Sequence, residues 1–401
     1  MQRSRPRRSR GEAIAEGRAA PDGSVSALPS IEETRDGGQI MIVDTQAIEA
    51  RWEQAAHLLG SAEEELAAGR LSEAETQAAR AAADLAATAG AEHPDHGHAI
   101  LVEGAILAAR GQIQEAAQRY DEALAIFDLH PEEPVVRAMA RRARGDRADL
   151  LIKMGQLGEA ETALRTLLLD VEAESPIDAR EEAFVLNMLG VCLRFSGAYE
   201  DAEIAYRRAL EVRERAGLSP SATLLHNLAG LAAARGDFAA AERDARAALA
   251  QRRAAQENVF AVAMELCGLG DALAGQARFL EAEVAYREAI ALYTGSEQLD
   301  HPEVAYALHN LADTLVELGR TGEAEKAYAD SLARKVRILG DEHHEVAVTL
   351  NNLAALLFEV GRPEEALARS ERACAIVRAA LASDHPVRAG CESLAASLRA
   401  G

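Results

Sequence analysis

HPEVAYALHNLADTLVELGRTGEAEKAYADSLARKVRILG, residues 301–340, reads as two helices joined by one tight turn. From Pro302 to Leu318 the apolar residues Val304, Leu308, Leu311, Leu315 and Leu318 fall three or four apart, one stripe on a 3.6-residue period. Pro302 suits the first helical turn, where its missing N–H costs nothing. Gly319 predicts a left-handed cap, and the second helix begins near Thr321 with Glu323 and Glu325 close to its positive end. The second stripe is Ala324, Ala327, Tyr328, Ser331, Leu332 and Ile338.

This hairpin recurs along the chain. A Gly followed five residues later by Ala, inside an E-A-E-like segment, places the Ala at Ala74, Ala116, Ala160, Ala202, Ala241, Ala282, Ala324 and Ala366, spaced by 42, 44, 42, 39, 41, 42 and 42 residues. Such a period marks a solenoid, whose units bury their apolar faces only by stacking. The Ala is small because the two antiparallel helices of a pair approach most closely there. Gly69, Gly111, Gly155, Gly197, Gly236, Gly319 and Gly361 hold the turn in seven copies, and the sixth has Ala277. A left-handed Ala costs roughly 1–2 kcal/mol. The sixth turn is therefore expected to rearrange around Gly275, with its first helix ending early.

The fold class that follows is all-α: a right-handed superhelical solenoid of about eight antiparallel helix pairs over residues 41–383. Residues 384–401 are expected to form a capping helix, with Val387, Cys391, Leu394, Ala395 and Leu398 on one face covering the apolar side of the last pair. Aromatics at 4% and the lack of strand-like alternation fit closely packed helices and argue against a sandwich or barrel.

The formal net charge of −22 argues against nucleic acid as a partner of the repeat body, because phosphate contacts need Lys and Arg in excess. Lys153, Lys326 and Lys335 are the only lysines, an Arg bias that fits a GC-rich bacterial genome. Cys192, Cys267, Cys374 and Cys391 show no C-x-x-C or Cys/His ligand spacing and read as reduced thiols of a cytoplasmic protein. No apolar run approaches the ~18–20 residues of a membrane span. Residues 1–40 differ in kind: Arg3, Arg5, Arg7, Arg8 and Arg10 crowd the start, and Pro6, Pro21 and Pro29 interrupt any helix. The segment reads as a disordered basic tail, or as an upstream start with Met41 as the natural beginning. A tether or targeting role is the competing reading.

Leu311, Ala312, Leu315, Gly319, Ala324, Tyr328 and Ser331, the last where Ala is usual, resemble the tetratricopeptide repeat. The 42-residue spacing, seen again in LGDEHHEVAVTLNNLAALLFEVGRPEEALARSERACAIV at 339–377, is similar to the kinesin-light-chain subtype. The resemblance spans about residues 45–383 and is weakest in copy one, where Glu65 stands in place of Leu and Ala78 in place of the aromatic.

That resemblance implies a concave groove lined by the first helix of each pair. Its groove positions fall on Phe184, Asn187, Arg194 and Phe195 in copy four, and on Thr223, His226 and Asn227 in copy five. Copy six gives Met264, Cys267 and Asp271; copy seven Tyr306, His309, Asn310, Asp313 and Glu317; copy eight Asn351, Asn352, Phe358 and Glu359. A row of amides holds an extended peptide by its backbone, or else bonds to neighbouring first helices and fixes repeat geometry. Acidic Asp271, Asp313, Glu317 and Glu359, with Arg142 and Arg194 nearer the amino end, would favour a ligand basic at one end. The carboxylate-clamp ligand class is disfavoured, since Thr223, Tyr306 and Val348 stand where a Lys is required.

His93, Asp95, His96 and His98 resemble a metal cluster, but His-Pro recurs at His130, His301 and His385, with His343 at the same place in copy eight, and these read as helix starts. No metal or other cofactor is expected. No phosphate loop, serine elbow or Cys/His pair appears. The expected function is a non-catalytic protein- or peptide-binding scaffold; the alternative is a peptide-sensing or signalling module whose superhelix changes curvature on binding. Oligomeric state is left open.

Overall fold

The computed structural model describes residues 45–174, 176–294, 302–382 and 385–400. The basic segment 1–40, Met41 and His301 lie outside them. Seventeen helices and no strand occur among the described residues, so the chain is an all-α repeat solenoid. It falls into two compact units, one ending at Ser219 and one beginning at Pro220.

Unit 1 holds four hairpins: α1 (Thr45–Ala67) with α2 (Leu71–Thr88), α3 (Pro94–Ala109) with α4 (Ile113–Phe127), α5 (Pro134–Lys153) with α6 (Leu157–Glu172), and α7 (Ala179–Phe195) with α8 (Tyr199–Arg215). Unit 2 holds α9 (Ala222–Ala234) with α10 (Phe238–Ala254), α11 (Val259–Gly275) with α12 (Phe279–Thr294), α13 (Pro302–Glu317) with α14 (Thr321–Leu339), and α15 (His344–Glu359) with α16 (Pro363–Ala380). A last helix, α17 (Pro386–Ala400), lies on α15 and α16 and buries Cys391, Ala395 and Leu398.

The eight repeat alanines are all buried, none more than 1% exposed. In three copies the close approach goes further. A Cβ placed on Gly104, Gly190 or Gly270 would meet the ring of Tyr120, Tyr206 or Tyr286 at 2.6, 2.4 and 2.6 Å. The ring therefore lies directly on the backbone of the opposing helix, and only Gly admits it. Ser331 is accommodated because its buried hydroxyl donates to the Ala305 carbonyl at 2.6 Å. Copy one forms its hairpin too. Ala78 is fully buried there, and Glu65 pairs with Arg70 at the turn.

The sixth turn departs from expectation. Ala277 itself takes the left-handed conformation, with φ 58°, against 70° at Gly319. The Ala277 amide donates to Ala274 and the Arg278 amide to Leu273, matching Gly319 to Val316 and Arg320 to Leu315. Helix α11 runs its full length, so nothing rearranges. Gly275 serves another purpose: a Cβ there would come within 2.4 Å of the Phe238 ring.

Helix starts at His-Pro are partly as expected. Nδ1 of His93, His343 and His385 accepts from the amide two residues on, at 3.2, 3.2 and 3.3 Å. His130 does not start a helix; α5 begins at Pro134 after Glu133, and His130 Nε2 lies 2.9 Å from the Glu92 carbonyl.

Within each unit the first helices of successive hairpins come into backbone contact, whereas among the described residues the second helices do not. The wider gap is spanned by long side chains. Arg278 reaches Glu242 at 2.5 Å, Arg320 reaches Glu283 at 2.7 Å and Arg362 reaches Glu325 at 2.7 Å, each also holding the Glu three residues ahead. The first helices thus form the inner face of each unit and the second helices the outer face.

Ala277→Gly should raise the unfolding free energy by about 0.5–1 kcal/mol and Gly319→Ala should lower it by about 1–2 kcal/mol, read from urea unfolding. Gly190→Ala should cost about 1–3 kcal/mol through overpacking against Tyr206. Gly230→Ala, on an exposed helical site with nothing within 4 Å, should stabilise by about 0.5–1 kcal/mol in the same assay.

Candidate functional site

The inner face of unit 2 is carried by α9, α11, α13 and α15. Two polar triads run along it. The Tyr286 hydroxyl donates to Asp271 Oδ1 at 2.6 Å, and Asn310 Nδ2 donates to the same oxygen at 2.8 Å. One repeat later the Tyr328 hydroxyl donates to Asp313 Oδ1, joined by Asn352 Nδ2 at 3.1 Å. Each carboxylate ties its own second helix to the first helix of the next repeat. The donor side of both amides is engaged with the wall, as the geometry-fixing reading of the Asn row requires.

His309 lies buried between these triads. Its Nδ1 is 3.2 Å from Thr349 Oγ1, which donates onward to the Glu345 carbonyl at 3.3 Å, while Asn352 Nδ2 lies 3.4 Å from Nε2. Burial lowers the imidazole pKa, against the pull of Asp313, and keeps the ring neutral. Beside it, Lys335 is only 1% exposed; its ammonium donates to Glu345 at 2.9 Å and sits 4.7 Å from the centre of the Tyr306 ring. Burial alone would raise the Glu345 carboxyl, but Lys335 holds it below the usual range.

In α9, His226 Nδ1 lies 3.0 Å from the buried Glu265 of α11, whose other oxygen accepts from Arg252 at 2.7 Å; Arg252 also holds Glu257 at 2.7 Å. Removing one member of this buried set would strand a charge, which is costly. Asn227 and Asn351 are half-buried, and Glu359 and Phe358 are exposed at the end of α15. Burial pushes the Cys267 thiol up to about 12, so it is no nucleophile at neutral pH.

In unit 1, Phe184 and Phe195 on α7 are 52% and 59% exposed. Phe184 lies against Gly145 of α5, Arg194 stacks over Phe195 with its guanidinium carbon 4.8 Å from the ring centre, and Asn187 is half-buried. Arg142 pairs with Glu63 at 3.1 Å. The His and Asp residues of the HPDHGH segment go separate ways: His93 caps α3, Asp95 accepts from Trp52 Nε1 at 3.0 Å, His96 Nδ1 lies 2.8 Å from the Ala91 carbonyl, and His98 faces Glu63.

The groove positions expected from sequence thus divide between the units, Phe184 to Phe195 in one and His226 to Glu359 in the other. Sequence reading missed Tyr286, Tyr328, Glu265 and Lys335 as parts of the inner wall. For the tyrosines a signal was present, since each follows its Asp by 15 residues and the partner Asn follows by 39 in both copies.

A family model described as a tetratricopeptide repeat matches residues 139–215, 261–335 and 303–379, and a second model of that description matches 221–255. Together they span more than half of the chain. No curated protein matches it. Among solved structures, the apo quorum sensor NprR from B. thuringiensis is similar at 14% identity and TM-score 0.57, over 74% of this chain and 79% of that one. A Rap protein complexed with Competence and Sporulation Factor is similar at 14% identity and TM-score 0.55, over 87% and 98%. The TPR-like repeats of a putative kinesin light chain from Podosopora anserina are similar at 21% identity and TM-score 0.39, over 44% and 84%. At these identities the likeness is one of fold. With eight buried repeat alanines and model matches across both units, this chain belongs to the tetratricopeptide repeat family.

Proposed function

We propose that this protein is a non-catalytic scaffold that binds a protein or peptide along the inner faces of its units. The observation that carries the reading is the exposure of Phe184 and Phe195 on α7 in unit 1, and of Phe358 on α15 in unit 2. Exposed aromatics next to ordered hydrogen-bonding groups are what a binding surface offers: apolar anchors with polar groups that set orientation. Asn310 and Asn352 act in this reading mainly as wall residues that hold successive first helices in register. His226, Asn227, Asn351 and Glu359 are the polar contacts a ligand would meet.

A second reading, a peptide-sensing module, is supported by the likeness to a quorum sensor and to a Rap protein complexed with a signalling factor. The triads that couple neighbouring hairpins supply a route by which an occupant on one first helix shifts the next. It predicts a ligand-dependent change in scattering radius, which a rigid scaffold would not show.

Capture of partners from the native host by crosslinking and mass spectrometry tests the main reading. Phe184→Ser with Phe195→Ser, or Phe358→Ser, should reduce capture at least tenfold, the loss expected of central aromatic anchors. Leu280→Ser with Val284→Ser, on the outer helix α12, should leave it unchanged. The scaffold reading fails if all captured proteins survive both inner-face changes while circular dichroism shows native helicity.

A further inference from the structure

Two buried donors of unit 1 lie together without an acceptor. Tyr206 on α8 is wholly buried, and neither its hydroxyl nor the buried Nε of Arg194 on α7 has a hydrogen-bond partner among the described residues. A buried polar group left unanswered is unfavourable. In unit 2 the corresponding place is filled. Tyr286 and Tyr328, four residues after the repeat alanine, donate to Asp271 and Asp313, eleven residues before it. Tyr206 also follows its alanine by four, but the residue eleven before Ala202 is Val191. Methyl groups stand where a carboxylate would accept.

The charge beside this tyrosine also has the opposite sign. Burial raises all three phenols. At Tyr286 and Tyr328 the aspartate adds to that rise, whereas at Tyr206 the neighbouring charge is Arg194, which opposes it and leaves the pKa at about 12. Arg194 occupies the position of Ala274 and Val316 in copies six and seven. It makes no ion pair among the described residues, and its guanidinium carbon lies 4.8 Å from the centre of the exposed Phe195 ring. On the adjoining α5 the aspartate position holds Asp149, which pairs with Lys153 at 2.6 Å and not with Arg194. A guanidinium and a phenol, both donors, suit an anion with two acceptor oxygens. One cation balances one negative charge, which favours a carboxylate over a phosphate.

We propose that Arg194 and Tyr206 form a subsite for a carboxylate of a bound peptide, which completes in copy four the triad that Asp271 and Asp313 complete from within the chain in copies six and seven. The carboxylate accepts from the guanidinium and from the phenol, and the peptide residue next to it packs on Phe195. The positions of the carboxylate-clamp Lys take no part. This deepens the scaffold reading and rests on it for the face used.

The test uses the full chain and fluorescence anisotropy of three peptides labelled at the amino end: GFEEFG with an amide end, GFQQFG with a free carboxylate end, and GFQQFG with an amide end. At least one of the first two should bind, and the third should bind at least tenfold more weakly; which of the first two binds tells a side-chain carboxylate from a chain end. Arg194→Gln should weaken binding about tenfold, as loss of a charge-assisted hydrogen bond does. Tyr206→Phe should weaken it several-fold and leave the melting temperature unchanged, because no internal bond is lost. Val191→Asp should supply the acceptor from within, holding or raising the melting temperature while abolishing binding. Tyr286→Phe should lower the melting temperature and leave peptide affinity intact. The subsite is refuted if neither carboxylate peptide binds, if the uncharged peptide binds as well as they do, if Arg194→Gln and Tyr206→Phe both keep wild-type affinity, or if folded Val191→Asp does. Should it fail while captured partners still depend on Phe184 and Phe195, the scaffold reading stands alone; should peptide affinity follow Arg194 and Tyr206 while captures ignore the inner faces, the subsite stands and the scaffold reading falls.

Discussion

The whole structure depends on helices brought close enough that only a methyl group or a hydrogen fits between them. The repeat alanines fill that contact in every hairpin, and in three hairpins a tyrosine ring rests on a bare glycine backbone. A core with so few aromatics gains its contact density from proximity rather than from large side chains. Tyr120, Tyr206, Tyr286, Tyr293 and Tyr328, on second helices, are all buried. The close fit fixes the hairpin, and the hairpin fixes which side chains reach the inner face.

Polar chemistry sets how one hairpin meets the next. The inner side uses short contacts: a carboxylate shared between two helices, or a buried cation such as Arg252 or Lys335 with its Glu. The outer side, where the second helices stand apart, uses arginines long enough to cross the gap. Exposed pairs of that kind contribute little singly. Their value lies in repetition along three successive junctions of unit 2.

The period, the turn and the small contact residue were legible in the sequence because each is a local feature repeated many times. Helix bounds in copy seven, the burial of all eight alanines and the capping role of α17 followed from them. The sixth turn was misjudged because the strain of one left-handed Ala was weighed without the two amide bonds that hold it, and Gly275 was assigned to the turn when its task is to admit Phe238. His130 was misread because a dipeptide that starts helices elsewhere is here followed by Pro134, which sets the start instead. Lys335 with Glu345, and Arg252 with Glu265 and His226, were invisible: they join residues 10 to 39 apart with no common spacing, so only packing brings them together.

The two triads and the arginine bridges share one register, and this bears on how the array can change length. Losing copy seven in frame would set Asn352 opposite Asp271 and Arg362 opposite Glu283, keeping the triad and the arginine bridge, whereas Glu345 would lose Lys335, whose place in copy six is Tyr293. A junction of copy six with copy eight thus keeps the shared register of triad and bridge, whereas a cut at copy five, where Gly230 takes the place of the aspartate, does not close in the same way. The array can thus change length at copies six to eight with its triad and bridge intact, at the cost of the one cation that only copy seven supplies.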